Sequence, residues 1–279
     1  MHVTWTSGDW SLVVDPQMGG ALTLCRYQGR DVLRSAVEGR GVLGASAFPM
    51  VPFVGRIDQG RFSYDGAAFS VPPNFPPEPH AIHGHGWQSA WRHAVIPDGL
   101  RLELQGKDPR WPWPIQATQT FDADGNLLIV ELTLTNLGET SMPAGLGWHP
   151  YFEARNAALT ANVSAAWAGA RAHDLVLCEG ADTLAVPRQV SGLDLDRCFE
   201  WPGGVAEIRL GNGLGVTMEA GAKARRLTIY TPPGEDFFCV EPVTQAPDAV
   251  NMADPAGAGL TRLAPGETLM LAILLRVTA

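Results

Sequence analysis

The chain has 279 residues, of which 46% are hydrophobic and 18% are charged, and this composition excludes a mainly disordered protein. Its 31 glycines and 22 prolines indicate many turns. The formal net charge of −9 disfavours binding to nucleic acid and to anionic membranes, because like charges repel. We therefore expect neither kind of partner.

The cysteine pattern and the chain start favour a cytoplasmic protein. Four cysteines lie far apart with no CxxC pair, which argues against a zinc knuckle or a disulfide scaffold and favours buried, reduced thiols. They are Cys25, Cys178, Cys198 and Cys239. The first residues have neither a basic start nor an apolar run, so no signal peptide is expected. The longest apolar run, residues 269–275, is too short to cross a membrane.

Apolar residues recur mostly at every second position, which is typical of strands with one buried face. In residues 128–135, for example, the four residues Leu128, Val130, Leu132 and Leu134 share one side. In chain order, the sequence predicts strands over residues 12–15, 21–27, 60–64, 92–96, 100–105, 115–121, 128–135, 145–152, 216–219, 227–230, 237–241 and 268–277.

Turn sequences join some of these strands into hairpins. Residues 97–99 (Pro-Asp-Gly) predict one hairpin, and residues 122–125 (Asp-Ala-Asp-Gly) predict another. An Ala-rich stretch, residues 163–172, predicts a short helix. No helical period is long enough for a bundle or a βαβ unit, so the sequence predicts an all-β sandwich or barrel. We expect one domain spanning residues 1–279.

A histidine-rich motif, residues 80–87, contains His80, His83 and His85. This spacing permits a shared metal ion, but the motif holds no carboxylate or cysteine to complete a ligand set. A pocket role for one histidine, with the others structural, is therefore favoured over metal binding. The neighbouring glycines would allow close approach of a ligand.

A second histidine, His149, is framed by Trp148, Tyr151 and Phe152. Two interpretations stay open. In the first, the ring is simply packed in an aromatic cluster. In the second, it is a rigid polar group beside an aromatic platform that stacks on a sugar.

One carboxylate, Glu241, follows the apolar run 237–240 and should end a buried strand. Burial would raise its pKa towards the range of a general base. The alternative is a structural ion pair with an arginine. Two weaker candidates are Arg56, which could bind a ligand or cap a strand, and Asp196, one of two loop aspartates in residues 194–196.

The order and spacing of these pieces resemble the aldose 1-epimerase (galactose mutarotase-like) family. The matching motifs cover most of residues 50–275. They are PFVGRI at 52–57, GRF at 60–62, YDG at 64–66, IHG at 82–84, WP at 111–112, Asn136 with MP at 142–143, GWHPYF at 147–152, DRCF at 196–199, IYTP at 229–232 and CVEP at 239–242.

The resemblance implies a galactose mutarotase-like β-supersandwich that interconverts the anomers of an aldose without a metal or organic cofactor. It implies that His149 is the general acid, that Glu241 is the general base and that His83 lies beside His149 and contacts the sugar. By the same resemblance, Arg56 and Asp196 hold sugar hydroxyls. The expected partner is a small-molecule sugar, and the chain is expected to be a monomer or a homodimer.

The chain departs from the family pattern at Gly55, where many members have Asn, and this leaves the contacts around Arg56 open. Three other functions also stay open. One is a hexose-6-phosphate 1-epimerase. Another is a glycoside hydrolase or lyase that uses Glu241 and Asp196 as a carboxylate pair. The third is a sugar-binding protein without turnover.

Overall fold

A computed structural model describes residues 2–167, 175–176 and 184–279. Among the described residues, strands make up about 53% and helix about 6%, so the predicted all-β class is confirmed. Among the described residues, no helix has the length and apolar character needed to cross a membrane. The cytoplasmic location and the single domain stay predictions.

The strands of the described ranges have the following bounds in chain order. They are β1 (Val3–Ser7), β2 (Trp10–Asp15), β3 (Ala21–Tyr27), β4 (Arg30–Asp31), β5 (Ala47–Met50), β6 (Arg56–Ile57), β7 (Arg61–Tyr64), β8 (Ala67–Ser70), β9 (Ala81–Ile82), β10 (Arg92–Ile96), β11 (Gly99–Asp108), β12 (Trp111–Asp124), β13 (Leu127–Asn136), β14 (Met142–Ala144), β15 (Gly147–Glu153), β16 (Ala158–Ala161), β17 (Ala165–Trp167), β18 (Leu175–Val176), β19 (Arg188–Gln189), β20 (Leu195–Glu200), β21 (Val205–Arg209), β22 (Gly215–Ala220), β23 (Arg226–Thr231), β24 (Phe237–Val243), β25 (Thr261–Leu263) and β26 (Thr268–Thr278). Single turns of 3₁₀ helix cover Gly41–Gly44, Asp58–Gly60, Gly86–Gln88, Val190–Gly192 and Ala249–Asn251.

Two large antiparallel sheets contain most of these strands. Within the described residues, the first sheet has the order β1-β2-β3-β5-β15-β24-β23-β20-β17-β18, with β4 beside β3. The second sheet has the order β10-β11-β12-β13-β26-β22-β21-β16-β19. Three short pairs, β6–β9, β7–β8 and β14–β25, lie outside them.

The core lies between the two sheets. One hydrophobic cluster combines Leu12 and Phe152 of the first sheet with Leu132 and Leu271 of the second. Each of these side chains is at most 1% exposed. Full burial of one such side chain contributes roughly 1.5–3 kcal/mol, so the alternating pattern on both sheets drives their association.

Both predicted hairpins are confirmed, but the turn of each consists of different residues from those predicted. The hairpin of β10 and β11 turns at Pro97 and Asp98, because Ile96 pairs with Gly99. The strand β12 continues through the predicted turn to Asp124, which pairs with Leu127, so the tight turn consists of residues 125–126.

The helix predicted over residues 163–172 is wrong at Ala165–Trp167, which form β17. This strand pairs with β20, and all three of its side chains are buried. Sheet pairing and burial therefore outweigh the helix propensity of alanine here. Residues 168–172 lie outside the described residues, as does Cys178. The thiols of Cys25, Cys198 and Cys239 are buried and free, as predicted.

The strands β15 and β24 lie in the middle of the first sheet and are buried on both faces. Since successive side chains alternate, Trp148 and Phe152 face the core between the sheets. On the other face, Tyr151 and Cys239 belong to a second hydrophobic cluster. This second face of the sheet carries the candidate site.

Candidate active site

His149 and Glu241 occupy neighbouring positions on β15 and β24. Gly147 pairs with Val243 and Tyr151 pairs with Cys239, and this register sets His149 opposite Glu241. Opposing side chains on one face of an antiparallel pair are direct neighbours. Accordingly, Nε2 of His149 lies 3.4 Å from Oε1 of Glu241, with the two residues only 8% and 3% exposed.

Two aromatic rings pack against the imidazole of His149 and against each other. The ring of Phe48, opposite it on β5, stacks at a centroid distance of 4.5 Å, and Tyr151 stacks at 4.8 Å. Behind Tyr151 lies the buried guanidinium of Arg34, 4.6 Å from the phenol ring centroid. These ring contacts restrict the plane of the imidazole, so it approaches a ligand in one orientation.

Burial shifts the pKa values of the pair towards their neutral forms. The pKa of Glu241 is raised well above its usual value, chiefly by desolvation, with Asp196 adding to the effect and Arg56 opposing it. Desolvation, followed by the charge of Arg34, lowers the pKa of His149 to about 3. Burial therefore favours the neutral form of both side chains, with a proton on Glu241 rather than on His149, when no ligand is present.

A loop pair brings Arg56 and His83 to the same place. In the short pair β6–β9, Arg56 lies opposite Ile82, so that His83 follows directly. The guanidinium of Arg56 has its Nη2 atom 3.5 Å from Oε1 of Glu78. Both Arg56 and His83 face the cavity that contains His149 and Glu241.

Hydrogen bonds from Gly55 fix the tautomer of His83. The backbone N–H of Gly55 donates to the ring atom Nδ1 of His83 over 3.3 Å. The backbone N–H of His83 donates to the carbonyl of Gly55 over 2.8 Å. An accepting Nδ1 leaves the proton of the neutral ring on Nε2. Desolvation first, and then the nearby His149 and Arg56, lower the pKa of His83 well below its usual value. His83 is therefore a neutral donor.

The other histidines of the 80–87 motif have structural partners. Nδ1 of His80 accepts the N–H of Gln59 over 3.1 Å. The buried His85 contacts Oγ of Ser89 over 3.2 Å, and its pKa falls to about 4 because of burial. Of the three histidines of this motif, His83 is the one that lines the cavity. The placement of His83 agrees with the expectation of one pocket histidine, and its role there stays a prediction.

The cavity has a volume of about 560 Å³, within the range of roughly 300–1,000 Å³ typical of small-molecule sites. Asp196 reaches it from β20 and is exposed, as expected for a group at the cavity rim. The structure thus brings together every site residue predicted from the sequence. Its wall includes Arg56, His83, His149, Asp196, Tyr230 and Glu241.

Several neighbours of these residues were not predicted from the sequence. Phe48 lies on a strand, β5, that the sequence did not indicate, because the run Ala47–Met50 is buried throughout and has no alternation. Glu78 is one acid in a proline-rich loop, with no pattern that links it to Arg56. Trp87, a visible large aromatic beside the histidine motif, stacks on Phe48 at 5.6 Å and could have been suspected.

The fold and the site define a class: a two-sheet antiparallel β protein with a buried histidine–glutamate pair facing a ligand-sized cavity. Comparison with known proteins is more specific. The family model described as aldose 1-epimerase matches residues 1–276, and the chain belongs to this family. The family and its solved members support an isomerase of the epimerase type.

Among similar proteins, YphB of Escherichia coli K12, described as uncharacterised, is 29% identical over 98% of both chains. A crystal structure of a candidate aldose 1-epimerase from Escherichia coli K12 is 28% identical, covers 100% of this chain and 99% of its own, and has a TM-score of 0.89. A galactose mutarotase-like protein from Clostridium acetobutylicum shares the fold at 17% identity, with coverage of 99% and 95% and a TM-score of 0.86. These similarities confirm the galactose mutarotase-like fold.

Proposed function

We propose that this protein is an aldose 1-epimerase that interconverts the α and β anomers of a free aldose, with Glu241 as base and His149 as acid. One observation carries the proposal. The two groups lie 3.4 Å apart, buried, at the wall of a cavity of sugar-binding size. Opening a pyranose requires proton transfer at two oxygens on the same carbon, and two groups this close can reach both.

The steps follow from that geometry. The carboxylate of Glu241 takes the proton of the C1 hydroxyl while the imidazolium of His149 gives a proton to the ring oxygen. The C1–O5 bond breaks, and a free aldehyde forms. Rotation about C1–C2 presents the other face of the carbonyl, and ring closure returns each proton to the group that supplied it. Each positioned acid or base contributes about 10²–10⁴ in rate.

The protonation state required is an ionised Glu241 and a protonated His149. Since burial favours the proton on Glu241 before the sugar binds, the active form arises by moving that one proton across 3.4 Å to His149. No exchange with solvent is needed. The two forms carry the same number of protons, so the pair titrates as a unit.

The remaining polar groups orient the ring. The Nε2–H of His83 donates to a sugar oxygen next to His149, while Arg56 and Asp196 bind hydroxyls. Aromatic rings of Phe48, Trp87 and Tyr151 enclose the imidazole side of the cavity. Fixing the ring so that both protons move in place lowers the entropic part of the barrier.

The charges at the cavity wall support an uncharged sugar over a sugar phosphate. Among the described residues, the wall has two cationic side chains, and each faces a carboxylate. Arg56 lies 3.5 Å from Glu78, and Arg40 lies 3.8 Å from Glu235. A phosphate would compete with these carboxylates for the guanidinium groups, whereas neutral hydroxyls can bind to the pairs as they are.

The test is a panel of pure anomers of galactose, glucose, arabinose, xylose, fucose and rhamnose, followed by optical rotation. The protein should accelerate mutarotation of at least one sugar, and the Glu241→Gln variant should lose most of that activity while keeping its fold. Release of reducing ends from oligosaccharides, or sugar binding without any acceleration by the wild type, would contradict the proposal.

A further inference from the structure

A third ligating side chain adjoins the proposed proton-transfer pair. A ring nitrogen of His149, Sγ of Cys239 and a carboxylate oxygen of Glu241 all lie within 4.8 Å of one another. The strand geometry explains this cluster. Cys239 and Glu241 are two residues apart on β24 and share a face, and Cys239 pairs with Tyr151, the residue two beyond His149 on β15.

The proton transfers proposed above give Cys239 no role. It is fully buried and free of any disulfide. Burial, together with the charge of Glu241, raises its pKa well above the usual value, so it is a neutral thiol. A thiol of this kind is a poor nucleophile, but it becomes a strong ligand when a metal ion displaces its proton to solvent.

Sulfur, imidazole nitrogen and carboxylate oxygen form the ligand set that Zn²⁺ prefers. At zinc–ligand bonds of about 2.0–2.3 Å, the ligands of a tetrahedral ion lie roughly 3.5 Å apart. His149 and Glu241 already have this spacing, and the longest separation must close by about 1 Å, within reach of the three side-chain torsions of Glu241. Two of the three ligands, His149 and Glu241, line the cavity, which leaves space for a water molecule as the fourth ligand. Mg²⁺ and Ca²⁺ prefer oxygen ligands and fit this set poorly.

We propose that Cys239, His149 and Glu241 form a binding site for Zn²⁺ or a similar thiophilic divalent cation, and that the bound ion inhibits the enzyme. The inhibition rests on the proposed function, since the ion occupies the lone pairs of both proton-transfer groups and the space of the two sugar oxygens. Metal and sugar therefore compete, and saturating sugar weakens metal binding.

The neighbouring charged side chains have opposite effects on the binding of a cation at this site. Asp196 acts electrostatically on Cys239 and on Glu241, and its negative charge attracts a cation. The guanidinium of Arg56 opposes it at Glu241, and that of Arg34 opposes it at Cys239. With a thiolate and a carboxylate as ligands, the site balances the 2+ charge of the ion, so the pair of arginines does not prevent binding.

The first test measures binding without any turnover. Co²⁺ added to the metal-free protein should give the near-ultraviolet absorption of a thiolate-to-cobalt bond, and Zn²⁺ should abolish it by displacement. Calorimetry with Zn²⁺ gives the affinity of the wild type, of Cys239→Ala and of Cys239→Ser. Loss of a direct ligand should weaken Zn²⁺ binding by more than the about 10–100-fold typical of an outer-shell change.

The matched control is Cys198→Ala. Like Cys239, Cys198 is a buried, free thiol. It lines the cavity, but it belongs to β20 and lies outside the three-residue cluster. The control should bind Zn²⁺ and show the cobalt absorption as the wild type does. Circular dichroism and Tm show whether each variant is folded. If Cys239→Ala does not fold, Cys239→Ser is used in its place.

The second test measures inhibition on whichever sugar is turned over fastest, with each variant compared with its own metal-free rate. Zn²⁺ should inhibit the wild type and Cys198→Ala at low concentration and Cys239→Ala only at a much higher one, with relief by excess sugar. Equal inhibition of all three proteins, or cobalt binding without a thiolate absorption, overturns the proposal. If no sugar is turned over, the cobalt and calorimetric results still decide whether the metal site exists.

Discussion

The two halves of the candidate site are built in different ways. His149, Glu241 and Asp196 lie on strands of the first sheet, and the pairing registers of that sheet set their spacing. Arg56 and His83 lie on a two-residue strand pair and its flanking turns, held by contacts to other loops. The first half is positioned by the registers of a large sheet, and the second by one short strand pair and a few local hydrogen bonds.

This difference separates two tasks. Proton transfer tolerates little movement, because an error of about 1 Å can cost 10²-fold in rate, and the centre of a sheet supplies the required precision. Sugar hydroxyls can be held by groups on loops, where sequence varies without disturbing the core. We therefore expect changes on the sheet half to act on the chemical step and changes on the loop half to act on binding.

The largest effect is expected from the sheet half. His149→Asn and Glu241→Gln should each lower kcat/KM by about 10²–10⁴, because each removes one proton-transfer group. The double variant should be little worse than the worse single one, since two groups that share one proton act as a unit. Initial rates of mutarotation check this, and multiplicative losses in the double variant would contradict the shared-proton scheme.

The stability of Glu241→Gln serves as an internal control for that prediction. The pKa of Glu241 is raised in the folded protein, so the folded state favours the protonated form, and stability falls as pH rises above the pKa of the unfolded chain. A neutral glutamine escapes this loss. We expect Tm at neutral and alkaline pH to rise by about 2–4 °C, for a gain on the order of 1 kcal/mol. A collapse of Tm would mean that lost activity reflects unfolding.

The strands of the site were predictable, because their burial leaves a mark on composition and alternation. The strand β24 was found from its apolar run and β15 from its aromatic cluster, with ends within two residues of those predicted. Their pairing was not predictable. The register that sets His149 opposite Glu241 links residues about ninety positions apart, and no local pattern encodes it. The resemblance to a family supplied that link.

The loop half was less predictable from its residues alone. The sequence placed Arg56 in a loop, where it could bind a ligand or cap a strand. Its partner Glu78 left no signal, since a single contact across 22 residues has no periodicity. Gly55 is more informative. Its φ of +65° lies in the left-handed region, which glycine and asparagine both adopt. Glycine can therefore take the same backbone conformation as the asparagine of other family members, but it has no side chain next to Pro247.

Substitutions in the loop half are expected to have a smaller effect on activity. Arg56→Ala should raise KM by about 10–100-fold with kcat nearly unchanged, as expected for binding shared by the ground and transition states. Glu78→Gln keeps the size of the side chain but removes the charge 3.5 Å from Arg56, and should raise KM less. Full kinetics on the preferred sugar give the two parameters separately. If kcat fell as much as kcat/KM, Arg56 would act on the chemical step and not on binding alone.

The smallest expected effect is a shift in the pH dependence of kcat/KM. It tests whether Asp196 at the cavity rim acts electrostatically on the His149–Glu241 pair. In the proposed mechanism, the His149–Glu241 pair is active when it holds one proton. It gains a second one in acid, towards the pKa of about 3 of His149, and loses the first in base, above the raised pKa of Glu241. The plateau of kcat/KM should therefore be broad.

The carboxylate of Asp196 contributes to the raised pKa of Glu241, so replacing it by Asn should lower that pKa and move the alkaline limb to lower pH. The acid limb should stay in place, because Asp196 is not among the groups that shift His149. Since Asp196 is exposed, salt should shrink the displacement. Asp194→Asn, an exposed acid on the same segment, is the matched control and should leave both limbs unmoved. An alkaline limb that stays fixed in Asp196→Asn would show that the rim and the proton-transfer pair are electrostatically independent.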